Sequence, residues 1–151
     1  MKRYLAGSMS RRSGKLVVTE GKSRNADLSV RHLDDLRRAF RRYRVVHVIC
    51  DNTGFHMAKG SKLVRQYLKE HGDRIVPHYL PADSPKDNPV ERVWRHLHEE
   101  ITRNHRCGEI GELVDLTFAW LDERGAFNIE GRMYEGLRAA ACGTFGIRRA
   151  I

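Results

Sequence analysis

Cysteine is scarce, and the placement of the three cysteines excludes two kinds of stabilised small protein. Cys50, Cys107 and Cys142 are far apart and odd in number. Their spacing therefore fits neither a disulfide framework nor a zinc site. No apolar run approaches the ~20 residues that span a bilayer, and the first residues lack the apolar core of a secretory signal. We therefore expect a cytoplasmic protein in a reducing compartment, with no membrane partner.

Acidic residues are too few to balance the basic ones, and the imbalance is local. The chain of 151 residues has 28 Lys and Arg against 19 Asp and Glu, and its whole net charge of +9 lies in residues 1–44. A basic segment beside a neutral core indicates a polyanionic partner, most simply nucleic acid. The alternative is that arginines merely solvate one helix face. The arginines that separate these two interpretations are Arg37, Arg38, Arg41 and Arg42.

Hydrophobic periodicity predicts an α/β chain with no internal repeat or linker. Two N-terminal strands are expected to form a hairpin, and a third strand is expected to be followed by a helix and a parallel fourth strand. The predicted elements are strands at Arg3–Met9, Lys15–Thr19, Val45–Cys50 and Arg74–Leu80, and helices at Asn25 or Asp27 to Tyr43, Met57–His71, Asn88–Asn104 and Glu109–Glu123. The pattern weakens after Gly125, where we expect a partly helical tail with one helix from Met133 to Cys142.

The chain is organised around the stretch from Val45 to Glu91, which carries an acid at each end. Asp51 follows a short β-branched strand, at the carboxyl end where open α/β sheets place their chemistry. Asn88 and Pro89 are typical of a helix start, which puts Glu91 in the first helical turn. Glu91 lies at the boundary of the buried stripe and can face a cleft. Two carboxylates on rigid elements can share hard divalent cations, because Mg²⁺ prefers oxygen ligands.

Each acid also has an ordinary structural explanation. Glu91 is three residues after Asn88 and completes a capping box. Asp51 is followed by Asn52 and Gly54, which are common in the turn after a strand. The spacing of both with the surrounding motifs is what favours a metal site.

These motifs resemble one protein family in their order along the chain. Asp51-Asn52 with His56, then Leu80-Pro81, Ser84-Pro85 and Asn88-Pro89-Val90-Glu91-Arg92-Val93-Trp94, resemble the catalytic core of bacterial insertion-sequence transposases of the mariner superfamily, in particular the insertion sequence six-thirty family. The 39 residues between Asp51 and Glu91 are similar in number to the family's spacing. The segment Thr102 to Cys107 is similar to one subgroup, and the resemblance covers Lys2 to Leu121.

The resemblance implies a fold, a cofactor and a reaction. It implies a ribonuclease H-like mixed sheet flanked by helices, and a DDE endonuclease domain in which Asp51 and Glu91 are catalytic metal ligands. Two Mg²⁺ or Mn²⁺ ions would support DNA cleavage, strand transfer and so DNA transposition, recombination and integration. His56, Lys59, Arg92 and Arg95 become candidate DNA contacts, as do the four arginines named above. The alternative for all of them is that they are polar side chains exposed to solvent, with no DNA contact.

The resemblance also implies a gap. In the family the first catalytic Asp comes from a strand that precedes the segment resembling Lys2 to Met9, so we expect a chain truncated at its N-terminus and lacking its first, central strand. Two strands would then have unpaired backbone in the middle of the sheet. We expect residues 1–124 to be a partial DDE core, residues 125–151 a tail, and the chain inactive alone.

The expected partners follow from the same comparison. They are DNA at transposon ends and target, with the product of an upstream open reading frame and a second copy of the chain as further candidates. The alternative from another functional class is a non-catalytic nucleic-acid-binding remnant. Receiver-like signalling ranks third, since no acidic pair occurs before Asp27.

Overall fold

The computed structural model describes residues 2–50, 60–81 and 89–125, and the backbone of residues 143–149. It is a mixed α/β structure. Five strands form one sheet in the order β2-β1-β5-β3-β4. Its strands are β1 (Tyr4–Ser10), β2 (Leu16–Gly21), β3 (Val46–Cys50), β4 (Ile75–Tyr79) and β5 (Gly143–Arg149).

The predicted N-terminal hairpin is confirmed. β1 and β2 are antiparallel, with Tyr4 opposite Gly21 and Met9 opposite Leu16. The tight turn between them has Gly14 at φ 71°, where an L residue with a Cβ would be strained. The Gly14 N–H donates to the Ser10 carbonyl at 2.8 Å.

The first helix, α1 (Ala26–Ala39), begins at the predicted cap and ends earlier than predicted. The Asn25 side chain accepts a hydrogen bond from the Leu28 N–H at 3.1 Å, which satisfies one of the free donors of the first turn. The helix ends at Phe40, and Tyr43 is exposed rather than part of the buried stripe.

The predicted crossover unit is also confirmed, because β3 and β4 are parallel and joined through α2 (Lys62–His71). Ser61 caps this helix with an acceptor 3.3 Å from the Val64 N–H. Val64 and Tyr67 are buried, whereas Leu63 is 44% exposed. Residues 57–59 of the predicted helix lie outside the described residues.

The last two helices follow the pattern of the sequence closely. α3 (Val90–Leu97) continues as a π-helical turn (His98–Thr102), and α4 (Ile110–Arg124) ends at Gly125 with φ 66°. Pro89 precedes α3 with helical φ and ψ of −62° and −24°, as its fixed φ favours. The predicted cap, Asn88, lies outside the described residues.

The expectation of unpaired backbone in the middle of the sheet is wrong, whereas the absence of the family's first strand stays a prediction. β5 lies between β1 and β3, antiparallel to the first and parallel to the second. It pairs along the whole of β1, from Tyr4 opposite Arg149 to Ser10 opposite Gly143. The backbone that we expected to be unpaired is therefore bonded to a strand from the tail. The predicted helix from Met133 to Cys142 lies outside the described residues.

Two apolar clusters cover the two faces of the sheet. The first joins α1 and α2 to one face through residues such as Leu28, Leu36 and Val48. The second joins α3 and α4 to the other face of β1 through Leu5 and Met9. No helix in the described part of the chain is long and apolar enough to cross a membrane.

Candidate functional site

The carboxyl end of β3 is rigid, and it leads directly to Asp51. Val48 and Cys50 are buried to 1% and 2% exposure. The Leu80 N–H donates to the Cys50 carbonyl at 2.8 Å, so the ends of β3 and β4 are tied together. Leu80 therefore lies at the end of the sheet to which β3 points. Asp51, His56 and Lys59 themselves lie outside the described residues.

Glu91 is positioned by a helix that is fixed by its opposite face. Val90, Val93, Trp94 and Leu97 are all at most 4% exposed, and they pack against the sheet and α4. Glu91 is in the first turn of α3 and is half-buried, as the predicted boundary position required. The helix backbone that carries Glu91 is therefore fixed by four buried neighbours.

The contact between α3 and the sheet is unusually close. The Trp94 indole lies against the backbone of Gly7, where an added Cβ would overlap Trp94 Cζ2. Gly7 pairs with Gly146 of β5, so two residues without Cβ are adjacent at this point of the sheet. A side chain at Gly7 would lift α3, and Glu91 with it.

Arg92 and Arg95, the predicted DNA contacts on this helix, are exposed. They lie on α3 one and four residues after Glu91, so a phosphate near the acid could be reached from the same helix. Both assignments stay predictions.

A polar contact that the sequence did not reveal holds α4 against the end of α3. Glu100 Oε2 accepts from Trp120 Nε1 at 2.9 Å and from Arg124 Nη2 at 2.5 Å. These two hydrogen bonds lower the pKa of Glu100 below its usual value. These contacts could not be predicted from the sequence, because Glu100 is 20 positions from Trp120 and 24 positions from Arg124.

The four arginines predicted to follow DNA are not equivalent. Arg37 and Arg38 both pair with Asp34, each with an N···O distance of 2.8 Å. Burial alone would raise the pKa of Asp34, but the hydrogen bond from Arg37 and the charges of both arginines outweigh it and lower the pKa. Arg41 and Arg42 are exposed beyond the end of α1.

A second group of cations lies at the other end of α1 and was missed by the sequence analysis. Two adjoining cavities, of about 610 and 350 Å³, open where β1 begins and β2 ends. Arg3, Lys22 and Ser23 line both of them. The signal was present in the hairpin register, because Tyr4 opposite Gly21 brings Arg3 level with Lys22.

The donor atoms at the predicted metal site are of a suitable kind. Carboxylate oxygens suit Mg²⁺ and Mn²⁺, and Glu91 presents one such group on a packed helix. Within residues 2–50, 60–81 and 89–125 no three potential ligands cluster together.

Comparison with known proteins agrees with the motifs. The family model described as DDE superfamily endonuclease matches residues 2–114. Over 114 residues the chain is 36% identical to the uncharacterized 39 kDa protein of insertion element IS630 from Shigella sonnei. This alignment covers 75% of the chain and 32% of the relative, so the chain spans about a third of that relative's length. No solved structure gives a significant match. Since the family model covers most of the chain, the chain belongs to the DDE superfamily endonucleases.

Proposed function

We propose that this chain supplies Asp51 and Glu91 as two of the acidic metal ligands of a DDE transposase. The observation that carries the proposal is the family match across residues 2–114, which contain both acids and the elements that hold them. In the intact enzyme the reaction is metal-dependent DNA cleavage followed by strand transfer. DNA, at the element's ends and at the target, is the corresponding partner.

We further infer a ribonuclease H-like architecture. What supports it is an antiparallel hairpin joined through a central strand to a parallel pair, with helices packed on both faces. In this arrangement the carboxyl end of β3 and the first turn of α3 are both fixed by buried contacts. The division into a core of residues 1–124 and a tail remains part of the proposal, although β5 of the tail belongs to the sheet.

Two bound Mg²⁺ or Mn²⁺ ions would activate a water or a DNA 3′ hydroxyl and would neutralise charge at the phosphodiester. The role of Asp51 and Glu91 is to hold those ions. Arg92 and Arg95 are exposed on the helix of Glu91 and are proposed to contact phosphates, as are His56 and Lys59. The candidate role of Arg37 is weakened by its ion pair with Asp34.

We also infer that the chain does not cleave DNA by itself. The central strand β5 has the sequence GTFGIRR, without a carboxylate, and it is the neighbour of β3 inside the sheet. Two carboxylates are a poor ligand set for a pair of hard cations, each of which prefers about six oxygen ligands. The same observation favours the alternative function, a non-catalytic nucleic-acid-binding remnant.

Mn²⁺ binding separates these two functions. Titration of the purified chain, followed by electron paramagnetic resonance of free Mn²⁺, should detect a site that is lost in Asp51→Asn and in Glu91→Gln. The matched controls are Asp73→Asn and Glu99→Gln, which remove exposed carboxylates elsewhere. Equal loss in the controls, or no loss in either variant of the predicted pair, would contradict a shared site and support the binding remnant.

Cleavage requires a second measurement. Nicking of end-sequence DNA should be absent for residues 1–151 and should appear when a segment bearing a further carboxylate is supplied, fused or as a separate chain. Asp51→Asn should then abolish nicking while leaving thermal melting largely intact. Metal-dependent nicking by residues 1–151 alone would show that the third acid is within the chain.

A further inference from the structure

The two cavities at the start of β1 form one cationic surface, which we call the basic cleft: Lys2, Arg3, Lys22, Ser23, Arg24 and Arg31. The larger cavity is lined among the described residues by Lys2, Arg3, Tyr4, Lys22, Ser23 and Arg24. Four of these six side chains are cationic and none is acidic. A cavity lined in this way favours an anion, and a lining drawn from two chain segments, residues 2–4 and 22–24, favours an extended one.

The nearby acids offset only part of this charge. Arg3 Nε lies 3.4 Å from Glu20 Oε1, and Arg31 Nε lies 3.2 Å from Asp27 Oδ2. Five cations therefore face two carboxylates around the cleft. Lys2 and Lys22 are exposed, so their charge is accessible to a ligand.

The topology puts the basic cleft at the same edge of the sheet as the predicted metal site. β5 runs parallel to β3, and β1 runs antiparallel to β5. The beginning of β1 therefore lies at the edge to which the carboxyl end of β3 points. β5 ends at that edge in Arg148 and Arg149, whose backbone pairs with Leu5 and Tyr4.

The separation suits one continuous strand of nucleic acid. Cys50 of β3 pairs with Phe145 of β5, and Phe145 pairs on its other side with Ser8 of β1. Ser8 lies four residues from Tyr4, at the beginning of β1. With strands about 4.8 Å apart and about 3.3 Å of rise per residue, the end of β3 and the cleft are roughly 15 Å apart. That distance corresponds to roughly four or five nucleotides at about 3.4 Å each.

The exposed arginines after α1 are at the opposite edge. Arg41 and Arg42 lie between the end of α1 and the beginning of β3, and the beginning of β3 is the edge that points away from Asp51. The Arg41 carbonyl also accepts a hydrogen bond from Arg74, which precedes β4 at that same edge.

We propose that the basic cleft binds the phosphodiester backbone of DNA a few nucleotides from the bond that is cleaved. This inference rests on the proposed function for the location of that bond. The cleft contributes position and not sequence, since cations on phosphates read no bases. The DNA strand runs along the sheet edge, from the carboxyl end of β3 to the beginning of β1.

The test is the salt dependence of DNA binding by the full chain, measured by fluorescence anisotropy with a duplex of arbitrary sequence. Lys22→Gln with Arg24→Gln should lower the slope of log K against log salt by about 2, because each phosphate contact contributes about 0.9. The matched control is Arg44→Gln with Lys69→Gln, two exposed cations at the opposite edge. The control should change the slope by less than half as much.

Equal changes in the two double variants, or no change for the first, would overturn the basic cleft. A larger effect of Arg41→Gln with Arg42→Gln would also overturn it, in favour of the opposite edge. The single variant Lys22→Gln should give about half the change in slope. Its melting temperature, measured in parallel, shows whether the variant is still folded. Mn²⁺ binding at Asp51 and Glu91 should be unaltered in all these variants. Suppose that Asp51→Asn and Glu91→Gln leave Mn²⁺ binding unchanged, while the cleft variants still lower the salt slope. That result would reject the proposed function and retain DNA binding by the basic cleft.

Discussion

The Trp94 indole is in contact with the backbone of Gly7, at a distance that leaves no room for a methyl group. Gly7→Ala should therefore destabilise the protein by about 1–3 kcal/mol, the usual cost of overpacking a filled core. Urea denaturation measures this change. The same variant should bind Mn²⁺ more weakly, because α3 carries Glu91.

Gly111→Ala is the natural control for that substitution. It lies exposed in α4, with no atom within 4 Å of the added Cβ. Since alanine favours a helix over glycine by up to about 1 kcal/mol, this variant should be stabilised. Equal destabilisation by the two changes would argue against close packing at Gly7.

Glu100 should stabilise the protein at neutral pH and lose that effect in acid. Its pKa is lowered by hydrogen bonds from Trp120 and Arg124. A carboxyl group with a lowered pKa contributes stability above its unfolded pKa of about 4.3, and the contribution is lost as the pH falls through the folded value. Glu100→Gln should lower the urea midpoint at pH 7 and change it little at pH 3. Glu99→Gln, which alters the exposed neighbouring residue, should leave the urea midpoint unchanged at both pH values.

His47 on β3 and His78 on β4 should also make the protein less stable in acid, but at a higher pH than Glu100 does. His47 Nδ1 lies 2.9 Å from His78 Nε2, so one ring must be neutral and accept a hydrogen bond from the other. Desolvation and then the charge of His47 lower the pKa of His78. The unfolded chain therefore binds protons more readily, and stability should fall as the pH drops below about 6.5.

Thermal melting between pH 5 and pH 8 measures that loss. His78→Gln should make the melting temperature less dependent on pH over this range. His105→Gln, at an exposed position after the π-helical turn, should leave the dependence as it is. An unchanged profile in His78→Gln would assign the acid sensitivity to other groups.

A buried polar chain under α1 provides a further prediction. Thr19 donates to Asp35 Oδ2 at 2.6 Å and lies 2.8 Å from His32 Nδ1, while Ser8 lies 2.9 Å from His32 Nε2. His32 is completely buried. Thr19→Val should therefore cost about 1–3 kcal/mol, since it leaves polar partners unsatisfied in the interior. Thr19→Ser keeps the hydroxyl and should cost less in the same urea titration.

Most of the regular elements could be predicted because their patterns are strong. β3 is a short β-branched run, which indicates a strand buried on both faces. α3 repeats its apolar residues at helical spacing, which indicates a helix buried on one face. The exact ends were less predictable. Tyr43 continues the apolar spacing of α1, yet the helix ends at Phe40 and leaves Tyr43 exposed.

β5 could not be predicted from its sequence. A strand in the middle of a sheet usually reads as a run of Val, Ile and Leu, whereas this strand contains two glycines and two arginines. Its position depends on partners more than 90 residues away, which no local pattern reveals. The basic cleft was missed for a related reason: Arg3 and Lys22 become neighbours only through the hairpin register.

The place of β5 in the sheet also has a consequence for biosynthesis. Among the described strands, the pair β1 and β2 is joined to the pair β3 and β4 through β5. A nascent chain on the ribosome can form the hairpin and the crossover unit early, but it cannot connect them until residues 143–149 have been made. Until then the sides of β1 and β3 that pair with β5 have unpaired backbone groups, which can pair with strands of other chains. Folding therefore ends with a contact of very high sequence separation, which slows the last step. The nascent protein should depend on chaperones until that step is complete.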